Sequence, residues 1–177
     1  LPLDKIGDKG LFVKEIEKSL LDGEIDMAVH SMKDMPSYLP EGLKFAHSPK
    51  REDPRDALIF KEGYKSLDDL PQGARIGTGS KRRKYQLLKH RPDLEIVPIR
   101  GNIETRIKKI ETEKLDGVVL AASGLRRAGL DDKIDYYIPT DIMLPAPAQG
   151  ILALEIREDD KETEKIIDSI KDDITKI

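Results

Sequence analysis

The regular alternation between residues 74 and 122 restricts the fold more than any other feature of this chain. ARIG (74–77), LEIVPI (94–99) and GVVLAA (117–122) are apolar runs of strand length, and KRRKYQLLKH (81–90) and IETRIKKIETE (103–113) between them have helical character. Strands joined through helices of this length pair in parallel, with helices on both faces of the sheet. The expected class is therefore α/β.

The flanks add a second body of structure. GLFVKEIEKSLLDG (10–23) places Phe12, Val13, Ile16 and Leu20 on one helical face and ends on Gly23, a residue suited to a C-terminal cap. IDMAVH (25–30) reads as a strand. ILALEI (151–156) reads as another, followed by a helical pattern over 160–170. REDPRDALIF (51–60) is a charged turn leading into an apolar run, and LPAPAQG (144–150) is proline-rich. Crossings near 50–54 and 144–149 divide the chain into a domain of 1–50 rejoined by 150–177, and a second domain of 55–143. One continuous α/β domain with ordinary proline loops is the alternative, and a length of 177 residues accommodates either.

Composition removes several kinds of chemistry. With no cysteine, the chain has no disulfide framework, thiolate metal site or cysteine nucleophile. The three histidines, His30, His47 and His90, fall in separate segments, which argues against a zinc site. No apolar run approaches the roughly 20 residues that span a bilayer, and LPLDKIGDKG lacks the plan of a signal peptide. A soluble cytoplasmic protein is expected. The first residue is not Met and lies in what reads as a domain interior, so the chain is expected to be a fragment.

Charge is unevenly spread. Residues 55–143 hold 18 basic and 14 acidic side chains, a balance of +4, while the whole chain carries −3. A basic middle block suits either nucleic acid or a small polyanion. Aromatic content of 5% leaves few platforms for stacking bases, and the negative total argues against a nucleic-acid partner.

Within that block, GTGS (77–80) joins a strand to a helix. Small residues allow close approach of the backbone, the hydroxyls of Thr78 and Ser80 can donate, and a helix start attracts an anion. The spacing is neither that of a Walker A loop nor GxGxxG. Arg82 and Arg83 follow. Arg100 ends the next strand, Arg106 lies one turn into a helix with Asn102 as its cap, and Arg126 and Arg127 follow the third strand. Three strands thus end in small residues and arginine, at the edge where open parallel sheets bind ligands. Taken singly each arginine also reads as a solvated charge. Together they suit a ligand with several carboxylates, because the guanidinium fork matches that geometry.

IDMAVHSMKDMP (25–36) ends an apolar run in His30, Ser31, Lys33 and Asp34. Adjacent strand residues face opposite ways, so His30 and Ser31 form no dyad, and His30 reads as a hydrogen-bonded core histidine. Asp34 amid cations would stay ionised and could stabilise a developing positive charge. By itself it reads better as a turn or helix-start aspartate.

GDKGLFVKEIE, AVHSMKD, REDPRDALI, IGTGSKRR, IRGNIETR, GLRRAGL and LPAPAQG, in this order and over essentially the whole chain, resemble the porphobilinogen deaminase (hydroxymethylbilane synthase) family. The resemblance implies a two-domain fold of type II periplasmic-binding-protein architecture with an interdomain cleft. It implies a transferase of porphyrin and haem biosynthesis that joins four porphobilinogen units, with loss of ammonia, into the tetrapyrrole hydroxymethylbilane. Asp34 would be the catalytic acid. Ser31, Lys33, Asp34, Thr78, Ser80, Arg82 and Arg83 would face a dipyrromethane cofactor. Lys9, Phe12, Arg100, Arg106, Arg127 and Gln149 would face substrate and growing chain, with Lys5 near them. No metal, nucleic acid or membrane is implied, and the protein would be a monomer. The family's first strand, and the domain whose cysteine anchors the cofactor, have no counterpart in this sequence. The 177 residues by themselves are therefore expected to be inactive. A non-catalytic small-anion binding module of the same fold is the other reading, and the acid at Asp34 argues against it.

Overall fold

The computed structural model describes residues 11–175, which form two compact units divided at Glu52/Asp53 and Gly150/Ile151. The chain enters unit 2 once and leaves it once.

Unit 1 is a three-stranded antiparallel sheet with one helix on each face. Its strands are β1 (Ala28–Ser31), β2 (Leu43–Phe45) and β8 (Leu152–Arg157), in the order β1-β8-β2. Directly paired residues share a face, so the pairs Ala28↔Glu155, His30↔Ala153 and Leu43↔Arg157 put these six residues on one side. Helix α1 (Leu11–Leu21) covers that side, burying Leu20 against Ala28 and Leu43. Gly23, at φ +73°, follows α1, and Arg157 Nη1 donates to the Leu20 and Ile25 carbonyls at 3.0 and 2.7 Å. A cation there suits the negative end of the helix dipole. On the opposite face Leu154 and Ile156 pack with Ala46 and with Ile167 of α5 (Lys161–Ile167).

Unit 2 holds β3 (Asp56–Phe60), β4 (Arg75–Gly77), β5 (Glu95–Val97), β6 (Gly117–Ala121) and β7 (Tyr136–Tyr137), in the order β5-β4-β6-β3-β7. The β4–β5 and β4–β6 pairs are parallel, linked through α2 (Lys81–His90) and α3 (Ile103–Thr112). Alternation along the strands builds a core on each face. Leu58, Phe60, Ile76 and Val119 meet Leu87 of α2 on one side. Ala57, Ile59, Val118 and Leu120 meet Ile110 of α3 and Leu125 of α4 (Ala122–Arg127) on the other. The sheet is mixed, whereas the β/α alternation had announced only its parallel part. The apolar run after Arg55 enters as β3, antiparallel to both β6 and β7. Five consecutive buried residues fit a strand covered on both faces and both edges.

Residues 144–150 are bonded into unit 2. The Leu144 amide donates to Gln86 Oε1 at 2.8 Å, and Gln149 Nε2 donates to the Pro54 carbonyl at 2.7 Å. No helix of the described residues is long and apolar enough to cross a membrane.

Candidate functional site

Parallel pairing of β4, β5 and β6 brings their carboxyl ends to one edge of unit 2. Three loops leave that edge. After β4, the Thr78 amide donates to the Val97 carbonyl at 2.9 Å, and Thr78 Oγ1 accepts from the Ser80 amide at 3.2 Å. Ser80 caps α2, its hydroxyl accepting from the Arg83 amide at a long 3.4 Å. Gly79 lies against the loop after β5, where an added Cβ would stand 2.7 Å from the Ile99 carbonyl oxygen. Only glycine tolerates that approach. After β5, Asn102 caps α3, accepting from the Thr105 amide at 2.8 Å, and Arg106 Nε donates to the Gly101 carbonyl at 2.7 Å. After β6, Arg126 and Arg127 occupy the last turn of α4.

Antiparallel β3 delivers an acid to the same edge. Its first residue, Asp56, pairs with Ala121 and is fully buried. Oδ1 of Asp56 accepts from Arg83 Nε and from Gln149 Nε2, each at 3.0 Å, and Arg83 Nη2 lies 2.8 Å away. Arg83 Nη1 donates to the Val119 carbonyl at 3.0 Å. Arg82 Nη1 approaches Asp56 Oδ2 to 2.8 Å, an ion pair without hydrogen-bond alignment, and also donates to the Leu144 carbonyl. Burial by itself would raise the Asp56 pKa. The charges of Arg83 and Arg82 and the Gln149 bond outweigh it, so the carboxyl is held below the usual aspartate value. Burial lowers the Arg83 pKa against the pull of Asp56, yet a guanidinium starts so high that it stays charged.

These contacts sort the residues picked from sequence. Arg83 is buried and occupied by protein partners, so its fork is not available as a solvated charge. Gln149 is likewise fully buried, following Ala148, which takes a left-handed φ of +57°. Thr78 is buried, and Arg82 is partly exposed. Arg100 and Arg127 are exposed and Arg106 is half-buried, with Arg127 Nη2 donating to the Gly150 carbonyl at 2.7 Å. Asp56 was missed. Its signal in the sequence is an acid at the head of the apolar run ALIF, where a carboxylate needs a charged partner once buried.

In unit 1, Ser31 ends β1 and is exposed. The turn Met32–Asp34 follows as one stretch of 3₁₀ helix, anchored by the Met32 amide on the Ile151 carbonyl at 3.0 Å. Lys33 is half-buried and Asp34 exposed. His30 is hydrogen-bonded, its Nε2 lying 3.0 Å from Glu155 Oε2. Lys5, Lys9 and the Phe12 side chain lie outside the described residues. Among the described residues no group of three or more His, Asp or Glu side chains converges to hold a metal ion.

Fold and edge together define an α/β protein of periplasmic-binding-protein type whose second unit gathers arginines at the carboxyl ends of parallel strands. A nutrient binding protein from Burkholderia cenocepacia bound to methionine has a similar fold, with a TM-score of 0.52 at 15% identity over 85% of this chain and 73% of that one. That likeness speaks for the fold alone. The family model described as "Porphobilinogen deaminase, dipyromethane cofactor binding domain" matches residues 1–165, and the chain belongs to this family. The porphobilinogen deaminase of Clostridioides difficile is 71% identical over 99% of this chain, and that of Clostridium novyi is 65% identical over 97%. The chain spans 58% of the length of each of these two relatives.

Proposed function

We propose that this chain takes part in the deaminating polymerisation of porphobilinogen, the joining of four units into hydroxymethylbilane with loss of one ammonia per unit. Family membership supports the reaction, and the observation in this structure that supports the substrate class is the arginine-bearing edge of unit 2. Each pyrrole carries acetate and propionate arms. Exposed Arg100 and Arg127, half-buried Arg106 and the start of α2 at Ser80 supply guanidinium and N–H donors of the kind carboxylates need.

The same donors fit dipyrromethane, which has the same acidic arms. When bound it supplies the pyrrole carbon to which the first unit is joined. In this reading Thr78, Ser80, Arg82 and the Asp56-held Arg83 shape the cofactor side of the edge. Ser31 and Lys33 of unit 1 are cofactor residues by the family resemblance, and Arg100, Arg106, Arg127 and Lys9 are residues for the incoming porphobilinogen. Buried Gln149 acts through Asp56, and Phe12 serves the incoming porphobilinogen. Asp34 is the catalytic acid: its carboxylate stabilises the cation left on the substrate when ammonia departs and takes up the proton released as the new bond forms. A cytoplasmic monomer acting on a small molecule, without nucleic acid, completes the reading.

The test is turnover by the full-length protein. Incubated with porphobilinogen, it should release ammonia and hydroxymethylbilane, and replacing Asp34 with Asn should stall chain growth while cofactor stays bound. Full turnover by the Asp34→Asn protein would remove the catalytic assignment, and no product from the unaltered protein would remove the reaction.

A further inference from the structure

Beneath β1 lies a polar cluster that the reaction proposed above does not use. Glu155, at the centre of unit 1 on β8, is completely buried, yet among the described residues only one of its oxygens has a partner. Oε2 lies 3.0 Å from His30 Nε2, and Oε1 has no partner among the described residues. Pairing register explains the meeting: Ala28↔Glu155 and His30↔Ala153 put His30 and Glu155 on one face, one step apart diagonally. Helix α1 covers this face and contributes another buried acid, Glu17. From β2 the face receives Leu43 and Phe45, while Lys44 points to the other face and binds Glu164 of α5 at 2.6 Å. From β8 itself comes Arg157, whose guanidinium is held by Asp26 and Asp160. Among the described residues Glu155 thus has one acid near it, one imidazole and no cation of its own.

A carboxylate in that setting is the unfavourable form, because burial removes water, Glu17 repels it and one oxygen lacks a donor. A neutral carboxylic acid satisfies the geometry better: its O–H donates to Nε2 of neutral His30, whose hydrogen then sits on Nδ1. We propose that Glu155 is a positioning residue, a buried neutral acid that donates its hydrogen to His30 and so fixes the end of β1, the residue immediately before Ser31 and the Lys33–Asp34 turn. Burial first, and the Glu17 charge as well, push the Glu155 pKa up, against an opposite pull from His30. The positioning role rests on the proposed reaction; the protonation state does not.

Two measurements on the full-length protein decide the protonation state without substrate. A folded-state pKa above the unfolded one gives stabilisation that is complete below the ordinary glutamate value and lost as pH rises through the raised value. The unaltered protein should therefore lose Tm across that window, and Glu155→Gln, whose amide can still donate to His30, should lose the slope. The ¹³C signal of the Glu155 carboxyl should titrate above the ordinary glutamate range. A signal titrating at or below that range, or a Glu155→Gln protein that keeps the slope, overturns the neutral acid. Turnover of porphobilinogen reads the positioning role: the alkaline limb of kcat should move to higher pH in Glu155→Gln, and an unmoved limb overturns it. Absence of turnover in the unaltered protein counts against the reaction, and the titration still decides the pair.

Discussion

Asp56 and Arg83 show how much a single buried charge pair commits a sheet edge. The sequence presents Arg83 as one of several arginines awaiting a ligand, and the structure gives it a buried carboxylate and the Val119 carbonyl instead. Removing one member leaves the other charged and out of water, which costs about 3–5 kcal/mol in comparable buried pairs. Arg83→Leu and Asp56→Asn should each destabilise unit 2 on that scale, read as a lowered midpoint in denaturant. Arg100→Leu and Arg127→Leu should behave oppositely, since surface substitutions change stability by about 0.5 kcal/mol or less. In those variants affinity for the polycarboxylate should fall while the denaturation midpoint holds. Asp56 also carries a pH dependence. Its folded pKa lies below the unfolded one, so its stabilisation is complete above the ordinary aspartate value and lost as pH falls through the depressed value. Asp56→Asn should flatten that acid limb of the stability curve.

At the scale of elements, the loops at the carboxyl edge are set by caps and by one close approach. Asn102 accepts the Thr105 amide at 2.8 Å, whereas Ser80 accepts the Arg83 amide at 3.4 Å. N-cap replacement by Ala costs about 0.5–2 kcal/mol. Asn102→Ala should therefore cost more than Ser80→Ala in thermal unfolding, while Ser80→Ala, on the proposed cofactor side of the edge, should weaken cofactor retention more. Gly79→Ala meets the Ile99 backbone oxygen, which cannot rotate away as a side chain can. Overpacking of this kind costs about 1–3 kcal/mol, and the loss should appear in unfolding experiments even without ligand.

Over the molecule as a whole, legibility followed the range of the interactions involved. The helices α1, α2 and α3 and the strands β4, β5 and β6 were readable because periodicity and caps act within a few residues, and Gly23 and Asn102 stand where their local rules put them. The antiparallel entry of β3 was not readable, since an apolar run does not state which neighbour it will pair with or in which direction. Nor was the fate of individual charges. Arg82, Arg83, Arg100 and Arg127 look alike in sequence, and they differ only because β3 carries Asp56 to the first two. His30 was legible as a bonded interior histidine. Its partner Glu155 lies 125 residues away and became visible only through strand register. The sequence by itself determined the local elements, the uneven spread of charge and the family to which the chain belongs, because these reside in short-range patterns and motif order. Tertiary structure alone decided which arginine is occupied, which glutamate is buried and which acid stands among cations, because burial and pairing depend on segments that meet only when the chain has folded.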